Sequence, residues 1–440
     1  MTGRYKAYPE YKDSGKNYYG EVPNHWVLQK IKHNSYVKGR QGWQNLRADE
    51  YQDEGPILVT GSHFDKNGGV DWEKCYHVSE ERYSRDKDIC LQEGDVLLTK
   101  DGTIGKIAFI DQLPDKACLN SHLLIIRDLY QRYNQRYLYH LLNSDCFKGF
   151  IPTRQTGTTF MGITQESVEE FPLIICPLNE QQKIVNFLDH ETAKIDTLIA
   201  KQEKLIELLK EKRQAVISHA VTRGLNPDDQ MKDSGVEWLG EVPEHWIVKK
   251  LKFCANLLSQ KEKITTQKVI ALENIEGSTG KYITTNSKYS GDDVSFNEGD
   301  ILFGKLRPYL SKVFLCDTSG ISFGDILAFR PNNETSSSFL FYTMISEWFI
   351  EIVNSSTYGS KMPRASSDFI NEMEIVIPPI NEQIKIAEEL DTILGKFEIL
   401  TEKSTAAIGL MKERKTALIS AAVTGKIDVR SWQTSEVETS

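Results

Sequence analysis

A chain of 440 residues is too long for a single core and predicts two to four domains. Its hydrophobic share of 40% and charged share of 26% exclude a disordered chain, and no apolar run approaches the ~20 residues that cross a bilayer. The net charge of −9 speaks against a uniformly basic nucleic-acid binder but leaves local basic patches open.

In chain order, the opening Met1-Thr-Gly-Arg-Tyr-Lys-Ala-Tyr-Pro-Glu10 lacks the apolar core of a signal peptide, so a cytoplasmic chain is expected. Two distinctive strings follow, Lys12-Asp-Ser-Gly15 and Gly20-Glu-Val-Pro-Asn-His-Trp26. Ile57–Thr60, Val96–Thr99, Lys106–Ile110 and Leu123–Ile126 then read as buried strands, and the stretch Tyr137–Leu142 as helical. Tyr130, Tyr133, Tyr137 and Tyr139, interleaved with Arg132 and Arg136, fit a partly buried helix entry better than a stacking surface for single strands.

A long helix begins at Pro177-Leu-Asn-Glu-Gln181, with Asn179 as the expected N-cap and Glu180 in the first turn. Spaced alternately by three and four, Leu188, Ile195, Leu198, Leu205, Leu209 and Val216 form a coiled-coil seam with polar interruptions. Gly224 closes it as a C-terminal stop.

The chain then repeats itself. Lys232-Asp-Ser-Gly235 and Gly240-Glu-Val-Pro-Glu-His-Trp246 return at an offset of 220 from the first copies. Glu298-Gly-Asp-Ile-Leu-Phe303 echoes Glu93-Gly-Asp-Val-Leu-Leu98. Strands are expected at Ile270–Leu272, Lys312–Leu315 and Ile326–Phe329, and helix near Phe339–Ile352. Pro379-Ile-Asn-Glu-Gln383 reopens a helix whose seam runs Leu390, Ile393, Phe397, Leu400, Met411, Leu418 before a stop at Gly425. Both helices stand at one offset, 202, so they have equal length in matched phase. Neither can bury its stripe alone, which predicts that they pack on each other.

The expected fold is α+β: two tandem mixed α/β modules joined by two long helices in an antiparallel coiled coil, with pseudo-twofold halves. The predicted division is 1–176, a central helix 177–225, 226–378, a distal helix 379–427 and a polar tail 428–440.

Seven scattered cysteines without a Cys-x-x-Cys pair indicate neither a disulfide framework nor a zinc site, and no metal site is expected. His25 and His245, each beside a tryptophan, read as packing residues and not as ligands.

The paired openings and the Pro-Leu/Ile-Asn-Glu-Gln helix starts resemble the specificity subunits of type I restriction–modification enzymes, over nearly the whole chain. The resemblance implies a non-catalytic reader of double-stranded DNA with two target-recognition domains, each binding half of a split, asymmetric site. The helices would act as a ruler: about 40 helical residues span on the order of 60 Å. It also implies two modification (methyltransferase) subunits as partners, which would hold the S-adenosylmethionine, and two restriction (motor and nuclease) subunits. No cofactor is expected in this chain.

DNA contacts need cations, hydroxyls and backbone N–H groups at phosphates, and Arg, Lys, Asn or Gln at base edges. Two loop types in each copy supply them. After the Gly-Asp-apolar strand come Lys100, Gly102, Thr103 and Lys106, and in the second copy Lys305, Arg307, Tyr309 and Lys312. The other loop carries Arg154, Gln155, Gly157, Thr158 and Thr159, mirrored by Gly359, Ser360, Lys361 and Arg364. Gly102-Thr-Ile-Gly-Lys106 is no Walker-A loop, because its spacing is wrong and Ile107 stands where Ser or Thr is required. Missing methyltransferase and nuclease motifs argue against a catalytic polypeptide. A structural adaptor, its modules binding peptides or RNA, is the rival class.

Overall fold

The computed structural model describes residues 5–40, 51–85, 87–155, 162–264, 267–359 and 361–433. The chain forms two compact units, one of residues 1–202 with 406–440 and one of residues 203–405. These cut across the linear division expected from the sequence, because each long helix gives its first part to one unit and its last part to the other.

In the first unit, a four-stranded antiparallel sheet has the order Ser35–Gly39, Leu123–Asp128, Val96–Thr99, Ile107–Phe109. A second sheet places Gln52–Val59 between Tyr76–His77 and Ala117–Leu119. The second unit repeats the first sheet with Ala255–Leu257, Ile326–Pro331, Ile301–Gly304 and Val313–Leu315. Its other sheet is larger, Lys261–Lys263, Asp292–Phe296, Gly320–Phe323 and Val269–Ala271. The strands expected from apolar runs are present. The expected helix near Phe339–Ile352 is two helices, Ser337–Ile345 and Glu347–Ser355, because Ser346 takes an extended conformation between them.

The repeated strings have local structural causes. Lys12-Asp-Ser-Gly15 and its copy open the hairpins Tyr11–Asp13/Glu21–Pro23 and Met231–Asp233/Glu241–Pro243. The aspartate accepts from the glycine N–H two residues on, at 2.9 Å to Gly15 and 3.0 Å to Gly235. The Glu-Gly-Asp strings place glycine at φ 88° and 84°, the left-handed region that Gly94 and Gly299 enter without a Cβ penalty. The following aspartate, 0% exposed as Asp95 and 2% as Asp300, takes a bidentate pair from Arg127 or Arg330 on the neighbouring strand. Burial raises the Asp95 carboxyl pKa, against the pull of Arg127.

The long helices run Leu178–Arg223 and Ile380–Val423, 46 and 44 residues. Asn179 is not the N-cap: Glu180 and Gln181 N–H already donate to Pro177 O, so Asn179 lies inside the first turn. Gly224 and Gly425 follow the last helical residues at φ 78° and 73°, as expected for stops. A Cβ on Gly425 would come within 2.4 Å of the Pro23 ring, so this stop also permits a close approach.

Within each unit the helical segments pack antiparallel. In the first, Asp196 pairs with Lys415 at 2.6 Å while Lys183 reaches Arg430 O, and Leu188 and Ile195 share a core with Leu418 and Val423. In the second, Lys212 lies over Phe397 while Gly224 sits beside Glu382, and Ile217 and Val221 share a core with Leu390 and Leu394. Leu209 is buried, and Val216, Ile393, Phe397 and Met411 are partly so. The seam expected at Leu198, Leu205 and Leu400 is corrected: these side chains are 48%, 38% and 45% exposed. A helix of 3.6 residues per turn drifts about 20° per heptad from a strict 3.5 repeat, so positions counted from one end leave the buried face midway.

The polar tail expected from 428 onward is also corrected, as far as Trp432. Ile427 and Val429 are buried, Asp428 N–H donates to Lys6 O, and Trp432 packs edge-on against Phe187. No helix among the described residues is long and apolar enough to cross a membrane.

Candidate nucleic-acid interface

Each unit is closed by contacts between its own distant strings. In the first, Glu180 in the opening turn of the central helix accepts from Trp26 Nε1 at 3.1 Å and from Tyr8 Oη, and lies 2.9 Å from His25 Nε2. Burial, then the hydrogen bond to Glu180, pushes the Tyr8 phenol pKa up. In the second, Glu382 accepts from Trp246 Nε1 at 3.0 Å and lies 2.8 Å from His245 Nε2. The adjoining glutamines, Gln181 and Gln383, are fully buried and clip the helix start to the N-cap of a shorter helix earlier in the chain, accepting from Asn134 N–H and Ser336 N–H. Both histidines therefore touch a carboxylate, which their neighbouring tryptophans alone did not predict.

On this scaffold the two predicted loop types meet. Ile163 N–H donates to Lys100 O at 2.7 Å, and Ala365 N–H donates to Lys305 O at 2.9 Å. Bridges Asp101–Gly162 and Leu306–Arg364 seal the same junctions. One short ladder in each unit thus juxtaposes segments about 60 residues apart in the chain, an arrangement no local pattern specifies.

In the first unit Gly102, Thr103, Lys106 and Arg154 are exposed, and Lys100 and Gln155 half-buried. Gly102 and Gly105 stand at φ 67° and 86°, and Thr99 Oγ1 holds the turn by donating to Thr103 O and accepting from Lys106 N–H. Arg154 lies 5.7 Å over the Phe150 ring. Among the described residues no salt bridge engages Lys100, Lys106 or Arg154. Lys106 also lines a cleft of about 720 Å³ with Lys66, Arg136, Lys148 and Lys415, against Asp65, Asp189 and Asp196. Gly157, Thr158 and Thr159 lie outside the described residues, as does Ser360.

In the second unit Arg307, Tyr309, Gly359 and Lys361 are exposed. Arg307 has φ 50°, a strained value for a side-chain-bearing residue, and its N–H donates to Pro363 O. Two expected contacts are already bonded within the protein. Lys312 Nζ donates to Leu272 O at 2.6 Å, capping a turn. Arg364 forms a bidentate pair with Asp325, whose hydrogen bond raises the guanidinium pKa, and Lys305 stands 3.8 Å from the same carboxylate. Tyr358 and Met362, 64% and 48% exposed, share this loop and were not singled out from the sequence. Their signal was a large side chain in a stretch of glycine and hydroxyls. Tyr133 and Tyr137 are buried, as a helix entry requires, and Tyr130 is exposed.

A family model described as the type I restriction modification DNA specificity domain matches residues 42–208 and again 240–408. The chain is 24% identical over 365 residues to the type I restriction enzyme MjaVIII specificity subunit of Methanocaldococcus jannaschii, covering 78% of this chain and 82% of that one. Its fold is similar to the HsdS subunit from Thermoanaerobacter tengcongensis, with TM-score 0.52 and 15% identity, covering 92% of this chain and 98% of that one. A chain from a structure concerned with complex assembly and conformational transition of the type I R-M system aligns at TM-score 0.67 and 15% identity, over 91% and 98% of the two chains.

Proposed function

Because this chain belongs to the type I restriction–modification DNA specificity family, with both copies of the family domain present, we propose that it is the DNA-sequence reader of such a system. It carries out no chemistry itself. Each unit reads one half of a split, asymmetric duplex site, and the helices set the spacer between the halves. Two modification subunits, which bring S-adenosylmethionine, dock on the helices, and two restriction subunits complete the assembly in the cytoplasm.

The observation that carries this reading is the recurrence, in both units, of one loop junction that gathers exposed cations and hydroxyls on a rigid sheet edge. Exposed Arg307 and Lys361 supply phosphate or base-edge contacts in the second unit, and Lys100, Lys106 and Arg154 in the first. Lys312 and Arg364, bonded to Leu272 O and Asp325, instead hold the loops in shape.

The decisive experiment maps methylated adenines in DNA from a methylation-free host that co-expresses this chain with its methyltransferase partner. A split, asymmetric motif that vanishes without this chain is the expected outcome. Methylation independent of the chain would overturn the reading. A finer check is the double variant Arg307→Ala/Lys361→Ala. Its affinity for target DNA should fall, and the slope of log K against log salt should shrink by about 1 for each phosphate that the variant no longer neutralises. Unchanged affinity and slope would remove both residues from the interface, and a loss of affinity at unchanged slope would assign them to base edges.

A further inference from the structure

We propose that Asp229, His245 and Glu382 form a binding site for one divalent transition-metal ion of the zinc class, tying the segment after the central helix to the start of the distal helix. One imidazole nitrogen and one oxygen of each carboxylate lie within 4.8 Å of one another. Among the described residues this is the one place where three such groups converge.

The contrast between the two units shows why a cation belongs here. Glu180 in the first unit is satisfied: it is buried, takes hydrogen bonds from Tyr8 and Trp26, contacts His25, and feels the charge of Arg430. At the repeat offset of 220, Pro9 stands in the first copy where the second has Asp229, and Tyr8 where it has Asp228. Glu382 therefore lacks the phenol donor and faces a carboxylate instead. Among the described residues the imidazole of His245 is the one group able to carry positive charge within ion-pair distance of Glu382. Two carboxylates this close repel, and the repulsion is relieved by a positive charge between them.

The donors select the ion. An imidazole with two carboxylate oxygens suits zinc, cobalt or nickel, while magnesium and calcium favour all-oxygen shells. Three protein ligands leave a fourth, tetrahedral position for water. The ligands are braced from behind: Trp246 Nε1 holds the other oxygen of Glu382, and Asn226 Nδ2 donates to Asp229 Oδ1 at 2.6 Å. On binding, His245 coordinates through Nε2 and carries its proton on Nδ1, so its 2.8 Å contact with Glu382 is replaced by two bonds to the ion.

The test loads the full-length, chelator-treated chain with zinc and measures bound metal per chain, thermal unfolding with and without zinc, and the absorption of a cobalt-loaded sample. One ion per chain, a raised Tm and a cobalt spectrum of nitrogen and oxygen ligands are expected. Asp229→Asn, which keeps an acceptor for Asn226, should weaken affinity at least about tenfold, the loss that follows even from removing groups behind a ligand. It should leave the metal-free Tm unchanged or higher, since it removes a repulsion. His245→Gln should abolish binding. No bound zinc, equal binding by wild type and Asp229→Asn, or a thiolate-to-cobalt charge-transfer band from the cysteines would each overturn the site.

Discussion

Replacing residues 226–378 with the corresponding segment of another family member is expected to change one half of the methylated motif and leave the other half and the spacer intact. The structural reason is that the segment closes on itself. After its opening hairpin, strand Ile247–Lys250 pairs antiparallel with its last strand, Glu374–Ile377, so the two ends of the insert are bound to each other before the distal helix is reached. Most of the core of the second unit, including Phe303, Phe329, Phe339 and Phe349, lies within the exchanged segment and moves with it, while Ile217, Val221, Leu390 and Leu394 stay behind on the helices. What must be retained is the contact across the boundary, Trp246 and His245 to Glu382, so the donor segment should keep that His-Trp pair.

The expected effect is large because recognition energies add over bases. Each wrong base pair costs about 1–3 kcal/mol, so three of them amount to roughly 3–9 kcal/mol and erase binding to the old half-site. Sequencing methylated DNA from cells carrying the exchanged chain reads the outcome directly. A motif altered in both halves would show that the units do not read independently, and an unaltered motif would place recognition outside this segment.

The second large effect is on stability. Glu180→Ala is expected to destabilise the first unit by about 3–5 kcal/mol, because it strands Trp26 Nε1 and Tyr8 Oη in a buried site. For a unit of this size that corresponds to a fall in Tm of roughly 6–20 °C. Glu382→Ala should cost clearly less, since that side chain is 27% exposed against 5% for Glu180 and holds one donor fewer. Calorimetry of the two variants separates the cases. Equal losses would refute the account in terms of donor number and burial, and a greater loss for Glu382→Ala would reverse it.

Much of the fold was legible in the sequence. Apolar runs such as Val96–Thr99 and Leu123–Ile126 form strands because a buried sheet interior leaves little choice of residue. Repeated Pro-x-Asn-Glu-Gln and glycine stops marked helices whose equal length and phase required a mate. The candidate site was legible only as a set of loops. Lys106, Arg154, Arg307 and Lys361 do stand exposed, yet Lys312 and Arg364, of the same residue types, turn to Leu272 O and Asp325. Composition cannot tell these apart, because a cation's direction is set by the acceptor nearest in space.

The sequence by itself determined that this protein is one unit written twice, each copy ending in a helix that cannot stand alone. Helical and strand periodicities are local, and the repeat of motifs needs no coordinates. Only the tertiary structure decided which repeated string answers which. His25-Trp26 meets Glu180 from 155 residues away, and the same clasp in the second unit trades a phenol for the Asp229 carboxylate. Charge pairing and burial depend on neighbours that the chain delivers from afar, so they are settled by folding and not by adjacency in sequence.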